Sequence, residues 1–545
     1  MDAYPKTLKT TANSGLTDTN FNVRRHFTAT LSSNGDATIT AGTNETFASL
    51  ADNDFSVSIM STGSGGTGAT GDFLSLTGNN HEGDVIDIKR LVQEFNIYES
   101  IYNHSVTGTV VITDAIDLIG RLPIQGTERL SFKLGTPGTH ESNHLIDCSE
   151  ETGHPMHIYK LGSRQQVKDG MIMYVLHFAS REFLRNIRTR VNKSYSGRLD
   201  TMVNSILGDK QGLDTRKKIT VQKTLNKDKV VIPNMKPFDA VSMLCNRALA
   251  ENSDGHAGSV GYFFYETTKG FQFRSWESMC VNSNGIPRKV KQEFNYHQGI
   301  NTDDKITGLT AMDKDGNEID RIVHDYTSVE QYKFVNNFHD VAANTALGTY
   351  GHRVITYNIY NKSYKTDDYH YHNQFAESKH TDGNNPAIVD TPVDWDTVEN
   401  ANIGGTKQKG VSDYPESRVT LQPTTQFLHG DDTGHFGTDV TDDGNFEGSR
   451  ISQKNQVMAG TRIHLTIKGQ SYLSAGDVIE FNFRRTDYRN TTGEYDRQYS
   501  GRYIITAIRH QTTNKQYTQL IECSKDSVNI PFQRSPGANC PAPTI

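Results

Sequence analysis

Tryptophan is scarce in this chain, 2 residues in 545, and cysteine is little commoner at 5. The cysteines (Cys148, Cys245, Cys280, Cys523 and Cys540) are scattered, odd in number and form no C-x-x-C pair. This argues against a disulfide framework or a zinc ribbon and for reduced cytosolic thiols. No apolar run is long enough to cross a bilayer, and the opening MDAYPKTLKTT lacks the apolar core of a signal peptide. The expectation is a chain made and assembled in a cytoplasm, without membrane anchoring. Charge is not concentrated either. The 56 basic and 63 acidic residues give a net charge of -7 with no block of one sign, whereas nucleic-acid binding normally needs a concentrated basic face. Neither a G-x-S-x-G elbow nor a G-x-x-x-x-G-K-[ST] phosphate loop occurs. The Gly-rich GSGGTG has no strand-to-helix context to cradle a phosphate.

What is present is β chemistry. Gly (46), Tyr (24) and Phe (24) accompany many Thr, Asn and Asp residues, a composition of strands joined by turns. The length supports several cores rather than one. Residues 1–80 read as an N-terminal β module. Its alternation at Phe27, Ala29 and Leu31 turns at Asn34-Gly35, and STGSGGTGATG follows as a linker. Residues 81–180 form a second β unit, with Val106, Val110 and Ile112 on one face and a hairpin turning near Asp169-Gly170. In this reading Thr107, Thr109 and Thr113 look outward, and Gly108 relieves crowding where the sheet bends.

Residues 181–298 change character. Leu199, Met202, Val203, Ile206 and Leu207 share one helical face. A second helix starts near Pro237, where the missing N–H costs nothing, with Phe238, Val241, Leu244, Cys245 and Ala248 apolar. A hairpin turning at Lys269-Gly270 completes a small α+β domain. Strands return over 299–370 and 450–530, separated by a polar insertion at 371–449; residues 531–545 form an extended tail. Two regions share a plan. Leu122, Gly126, Leu130 and Phe132 precede one long hairpin, and Leu473, Gly476, Ile479 and Phe481 precede another. Read as a duplication, this gives two similar β-barrels with the helical domain spliced between them; alternating strands also resemble one another by chance.

Candidate chemistry is sparse. His140, His144 and Cys148 have helix-like spacing, with His154 and His157 beyond, but the surroundings are polar and turn-rich. His370 and His372 alternate as on one strand face, and His429 and His435 flank a polar loop. Asp313–Asp320 is spaced like a calcium loop but has Gly316 at position four, so Asp315-Gly316 reads as a hairpin turn. Paired acids such as Asp367 and Asp368 are unremarkable for this composition. No residue is assigned a catalytic, cofactor-binding or metal role, and no cofactor is expected.

The stretches FNIYESIYNHSVTGTVVITDAIDLIGRLPIQGTERLSF, IPNMKPFDAVSMLCNRALAE with GYFFYETTKGFQF, YGHRVITYNIYNKSYKTDDYHYHNQF, and YLSAGDVIEFNF with GRYIITAIRHQTTNKQYTQLIEC stand in an order that resembles the central baseplate hub protein of contractile-tailed bacteriophages. Relatives of that family include the hub portion of type VI secretion spike proteins. The resemblance spans about residues 85–530 with gaps; the N-terminal module and the 371–449 insertion depart from it. It implies a mainly β, α+β fold with two tube-type β-barrels, an inserted α+β domain and an added N-terminal β module. It also implies a structural, non-enzymatic virion protein. A homotrimer would present six barrels to a six-fold tail tube and three-fold symmetry to a central spike, with a channel that passes phage DNA without binding it specifically. Expected partners are further copies of the chain, the spike, the tube or tube-initiator protein and the baseplate wedges. Two alternatives are a tail-associated cell-wall hydrolase and a receptor-binding tail protein.

Overall fold

The computed structural model describes residues 55–60 and, with breaks, 85–529; the longer breaks cover 137–144, 252–257, 297–309, 389–409, 424–442 and 484–494. The Asn34-Gly35 hairpin, the Gly-rich linker and the C-terminal tail expected above lie outside the described residues. In chain order the first strands are β1 (Phe55–Met60), β2 (Val85–Asp87), β3 (Val92–Ser100) and β4 (Thr107–Asp114), then helix α1 (Leu118–Arg121). Next come β5 (Arg129–Gly135), β6 (Leu145–Cys148), β7 (Met156–Lys168) and β8 (Met171–Ala179). The central region holds α2 (Arg181–Arg188), β9 (Val191–Arg198), α3 (Leu199–Gly208), β10 (Ile219–Val221), β11 (Lys227–Met235), α4 (Pro237–Cys245), β12 (Tyr262–Thr267), β13 (Gly270–Ser275) and α5 (Trp276–Cys280). Then follow β14 (Glu293–Tyr296), β15 (Thr310–Met312), β16 (Glu318–Asp320), β17 (Val329–Asn336), α6 (Val341–Ala346), β18 (Gly351–Tyr357), β19 (Tyr364–His370), α7 (Tyr371–Phe375), β20 (Asn385–Pro386) and β21 (Val419–Pro423). The chain closes with α8 (Asp443–Ala459), β22 (Thr461–Lys468), β23 (Val478–Phe483), β24 (Gly501–Thr513), β25 (Tyr517–Lys525) and β26 (Ser527–Val528).

The fold is mainly β. Among the described residues fourteen strands join one sheet in the order β17-β22-β25-β24-β3-β4-β8-β7-β5-β1-β2, with β6 on β5, β23 on β24 and β14 on β23. All its ladders are antiparallel except β14 on β23. The sheet has two halves that repeat a plan. Gly126 and Gly476, with φ of 93° and 87°, precede β5 and β23, where the left-handed backbone favours glycine. Each half then carries a 13-residue strand followed by a 9-residue strand, β7–β8 and β24–β25.

Each half buries its own core. In the first, Phe95 from β3, Phe132 from β5 and Phe178 from β8 meet with ring centroids 4.8–5.8 Å apart, beside buried Val106, Val110 and Ile112. Burying each such side chain contributes about 1.5–3 kcal/mol. Gly108 sits between two of these valines because nothing larger fits: a Cβ there would overlap the Phe178 ring and the Asn96 carbonyl. The reason is thus a ring packed on the backbone rather than a bend in the sheet. Gly108→Ala is expected to cost about 1–3 kcal/mol through overpacking, read as a lower denaturant midpoint with an unchanged slope. The second core gathers Ile463, Leu465 and Ile467 of β22 with Phe481, Ile505, Ile508, Ile521 and Cys523.

The central region folds as its helical spacing predicts. Leu199, Met202, Val203, Ile206 and Leu207 are all buried on α3, and Phe238, Val241, Leu244 and Cys245 on α4. Ala248 is buried but lies beyond the helix, which ends at Cys245. The β12–β13 hairpin pairs Thr267 with Gly270. Residues 450–459 differ from expectation. They belong to the 17-residue helix α8 rather than to a strand. The buried face of α8 mixes Ile451 and Val457 with polar residues: Ser452 Oγ donates to the Thr349 carbonyl (2.9 Å) and Gln453 Nε2 to Glu277 Oε1 (2.9 Å), so no regular apolar period marks it. The polar 371–449 segment likewise contributes Tyr371, Phe375, Ala387, Ile388 and Val411 to a small core with Tyr350, Tyr369 and Val528.

Candidate functional site

Side chains alternate across a strand, so the face opposite the two cores is fixed by register. One row across that face reads Gln331, Thr466, Leu520, Arg509, Tyr98 and Thr107. The next reads Lys468, Thr518, Gln511, Asn96, Thr109 and His177. The rows cross both halves without interruption, because β24 pairs with β3 from Ala507–Ser100 to Thr513–Glu94. This mostly polar surface is the candidate functional site.

Two of its arginines are matched by acids. Arg509 Nη2 lies 2.9 Å from Glu94 Oε1, and its Nε donates to Asn96 Oδ1 at 3.0 Å. Gln511 and Asn96 donate to the same Glu94 oxygen. On β22 and β25, Arg462 and His464 both reach Glu522. Burial alone would raise the Glu522 carboxyl, but hydrogen bonds from Arg462, His464 and Thr506 hold it below its ordinary value. Such partly exposed pairs contribute about 0–1 kcal/mol each. Their effect is therefore on the sign of the surface rather than on stability.

Buried carboxylates lock the parts together behind this face. Glu99 of β3 accepts from the Thr268 N–H (2.8 Å) in the central hairpin and from the Ala475 N–H (3.2 Å) in the second half. Glu266 of β12 accepts from the Val106 N–H (2.9 Å) and Ser180 Oγ (2.7 Å) of the first half. Lys217 donates to its other oxygen and lies 3.4 Å from Glu182. Burial would depress the Lys217 ammonium, yet the two carboxylates hold it above its ordinary value. Asp526, just after β25, accepts from Trp276 Nε1 (3.1 Å) and the Thr381 N–H (3.0 Å) and pairs with His380 (3.0 Å). At the joint between halves, Thr136 and Ser471 exchange backbone-to-hydroxyl hydrogen bonds of 3.0 and 2.7 Å.

Among the described residues, those considered for metal chemistry lie on separate elements. His140, His144, His429, His435 and Cys540 lie outside the described residues. His140-Glu141-Ser142-Asn143-His144 has the H-E-x-x-H spacing, which binds zinc when both histidines project from one helix. Cys148 is buried in β6, where burial pushes its thiol up to about 12. His154, in the turn before β7, and His157, at the start of β7, stand on the wall of a basic cleft. His370 and His372 do not share a strand face, because β19 ends at His370 and the chain turns into α7. His370 caps that helix and bonds Asp413 at 3.0 Å, while His372 bonds Ser412 and the Ile388 carbonyl. Asp367 and Asp368 are neighbours on β19, so they point to opposite faces; Asp368 is gripped by Arg353 at 2.7 and 2.8 Å. β15 and β16 pair antiparallel on either side of residues 313–317. Among the described residues no group of three or more His, Cys, Asp or Glu side chains is placed to hold a metal.

The protein is similar in structure to phage tail and baseplate proteins. A tail protein from Neisseria meningitidis MC58 matches 88% of this chain and 99% of its own, at 8% identity and a TM-score of 0.44. The 43 kDa tail protein of prophage MuSo2 from Shewanella oneidensis matches 87% and 99%, at 8% identity and 0.42. An Escherichia coli component of the type VI secretion system, described as structurally similar to bacteriophage T4 tail proteins gp27 and gp5, matches 82% and 76%, at 9% identity and 0.34. No family model and no curated protein matches the chain.

Proposed function

We propose that this chain is a structural virion protein, the central hub of a contractile phage-tail baseplate. In this reading each sheet half is a tube-type barrel. The path β17-β22-β25-β24-β23-β14 returns towards its start through a bridge between Asn295 and Ser328. The first half returns from β2 to β3 through the short turn Lys89–Leu91. The domain at 181–298 is inserted between the barrels, the second of which is built from 299–370 and 450–530. Three copies carry six barrels in a closed ring, matching a six-fold tube on one side and a three-fold spike on the other. The work is positional and needs no catalysis. The tube or its initiator, the spike and the baseplate wedges are the partners, and assembly takes place in the host bacterial cytoplasm.

The observation that carries this reading is the uninterrupted polar face with its acid-matched arginines. Such a surface can line a channel for DNA, because each uncompensated cation would add salt-sensitive phosphate affinity. Light scattering and electron microscopy of the chain mixed with its tube and spike partners test the ring. A stable monomer that forms no ring with either overturns the proposal. A second test changes the lining. Glu94→Lys with Glu522→Lys should leave the fold intact, since both positions are partly exposed. It should create DNA binding whose logarithm falls with log salt by about 0.9 per phosphate contacted. A doubly substituted protein with no more DNA affinity than the parent would remove this face from the channel.

A further inference from the structure

Where the first sheet half meets the central domain, a cleft of about 430 Å³ opens between the start of β5, the turn before β7, the first turn of α2 and the loop leading to β10. Its walls include Arg129, His154, His157, Arg181, Arg216 and Lys217. One carboxylate, Glu182, also lines it, and that carboxylate is already engaged by Lys217 (3.4 Å) and Thr215 Oγ1 (2.8 Å). Arg181 is held by Asp214 at 3.1 Å. Arg216 is exposed, and among the described residues neither its guanidinium nor the His154 or His157 ring takes part in a hydrogen bond or ion pair.

Small-molecule pockets of this size, about 300–1,000 Å³, are ordinarily lined by apolar side chains. This one is lined by cations, so it selects for a ligand of opposite charge. Burial holds both histidines below their ordinary value. For His154, Lys217 and Arg216 act in the same direction against Glu182 and Asp147. For His157, Arg129, Arg181 and Arg188 do so against Glu182. Both rings therefore sit in a positive field and are neutral near pH 7, each with one N–H to donate. The fork of a guanidinium matches two oxygens of a tetrahedral oxyanion, and a third remains for an imidazole N–H.

We propose that this cleft binds an oxyanion of the phosphate class, held by Arg216 at its mouth and by His154 and His157 along its wall. The site lies on the same side of the sheet as the polar face, since Thr107 pairs with Ala179, Ala179 with His157 and His157 with Arg129; the hub reading assigns no role to this far corner, and phosphate binding is measured without reference to ring formation. Phosphate of this class could come from free inorganic phosphate or from a phosphodiester.

Titration calorimetry on the full chain at pH 7, with inorganic phosphate as the probe, tests the proposal. Saturable binding is expected. Arg216→Ala and, separately, His157→Phe should each weaken it roughly tenfold, as loss of a charge-assisted hydrogen bond does, with unchanged circular dichroism. Arg216 is exposed, so its removal does not threaten the fold. A short thymidine oligonucleotide that displaces phosphate identifies the phosphodiester as the source, and failure to displace identifies the free ion. The proposal is overturned if no saturable heat appears, if acetate binds as tightly as phosphate, or if both variants titrate like the parent.

Discussion

Replacing Glu266 by Ala should destabilise the protein by about 3–5 kcal/mol, the usual consequence of leaving one member of a buried ion pair without its partner. Three donors converge on this side chain from outside its own hairpin: the Val106 N–H, Ser180 Oγ and the Lys217 ammonium. It is completely buried, so water cannot take over as acceptor. Lys217 would keep only Glu182, and two donors would be left without an acceptor. The loss should be concentrated where the central domain meets the first sheet half, detected as faster hydrogen exchange at the Val106 amide and a lower urea midpoint. Glu266→Gln should recover part of it, since an amide oxygen can still accept from Ser180 or Val106. Joint replacement of Lys217 and Glu266 by Met should cost less than Glu266→Ala alone. A loss under about 1 kcal/mol for Glu266→Ala would show that this contact does not join the two parts.

Asp526→Asn should have an effect of similar size, about 3–5 kcal/mol, and a distinctive pH dependence. The His380 ring donates from both nitrogens, to Asp526 through Nδ1 (3.0 Å) and to the Phe375 carbonyl through Nε2 (2.7 Å). A carbonyl and a carboxylate can only accept, so the ring is an imidazolium. Burial alone would lower its pKa, but the Asp526 carboxylate raises it above the ordinary 6.5. Burial would raise Asp526, yet His380 and the Thr381 donors hold it at about 2, below the ordinary 3.8. The signs follow from linkage. The histidine contribution is complete below pH 6.5 and is lost as pH rises through its raised folded value. The aspartate contribution is complete above pH 3.8 and is lost as pH falls through about 2. The pair is therefore most stabilising between these limits. Exchange of the Thr381 amide, corrected for intrinsic rates, should accelerate from pH 5.5 to 8.5 in the parent and much less in Asp526→Asn. Equal protection at both pH values in the parent would show that the pair does not titrate as described.

Much of this architecture could be read from the amino acids where a single period ruled a segment. The apolar face of α3 and most of that of α4 could be listed residue by residue, because both helices bury one stripe and expose the other. The Lys269-Gly270 and Asp169-Gly170 hairpins were legible for the same local reason. The α8 helix was not, because it buries Ser452 and Gln453 in hydrogen bonds and has few apolar residues to mark a stripe. His370 and His372 misled because alternation in DDYHYHNQF continues past the end of β19, and only the capping bond from the Asn373 N–H to His370 reveals the turn into α7. The seam between β24 and β3 was beyond sequence reasoning altogether. Its partners lie some four hundred residues apart, and alternation fixes the face of a strand without fixing its neighbour. The candidate site exists only through that pairing, so Thr107 and Thr109 could be expected to look outward but could not be assembled into rows. The basic cleft was hidden likewise, since Arg129, His157, Arg181 and Arg216 come from four separate elements.

β24 has a mechanical consequence. Along one edge its first residues pair with β23, and its last seven pair with β3. One strand is therefore shared by both halves, with a shift in its pairing to β25 at Thr506, between the two segments. A pull along the strand axis would strain all seven of those pairs at once, in shear. A pull across it would peel them singly, but only after Glu99 and the Thr136–Ser471 clasp had let go. The two halves should thus move as one stiff beam, transmitting a thrust applied at one end to the other with little of it absorbed in bending.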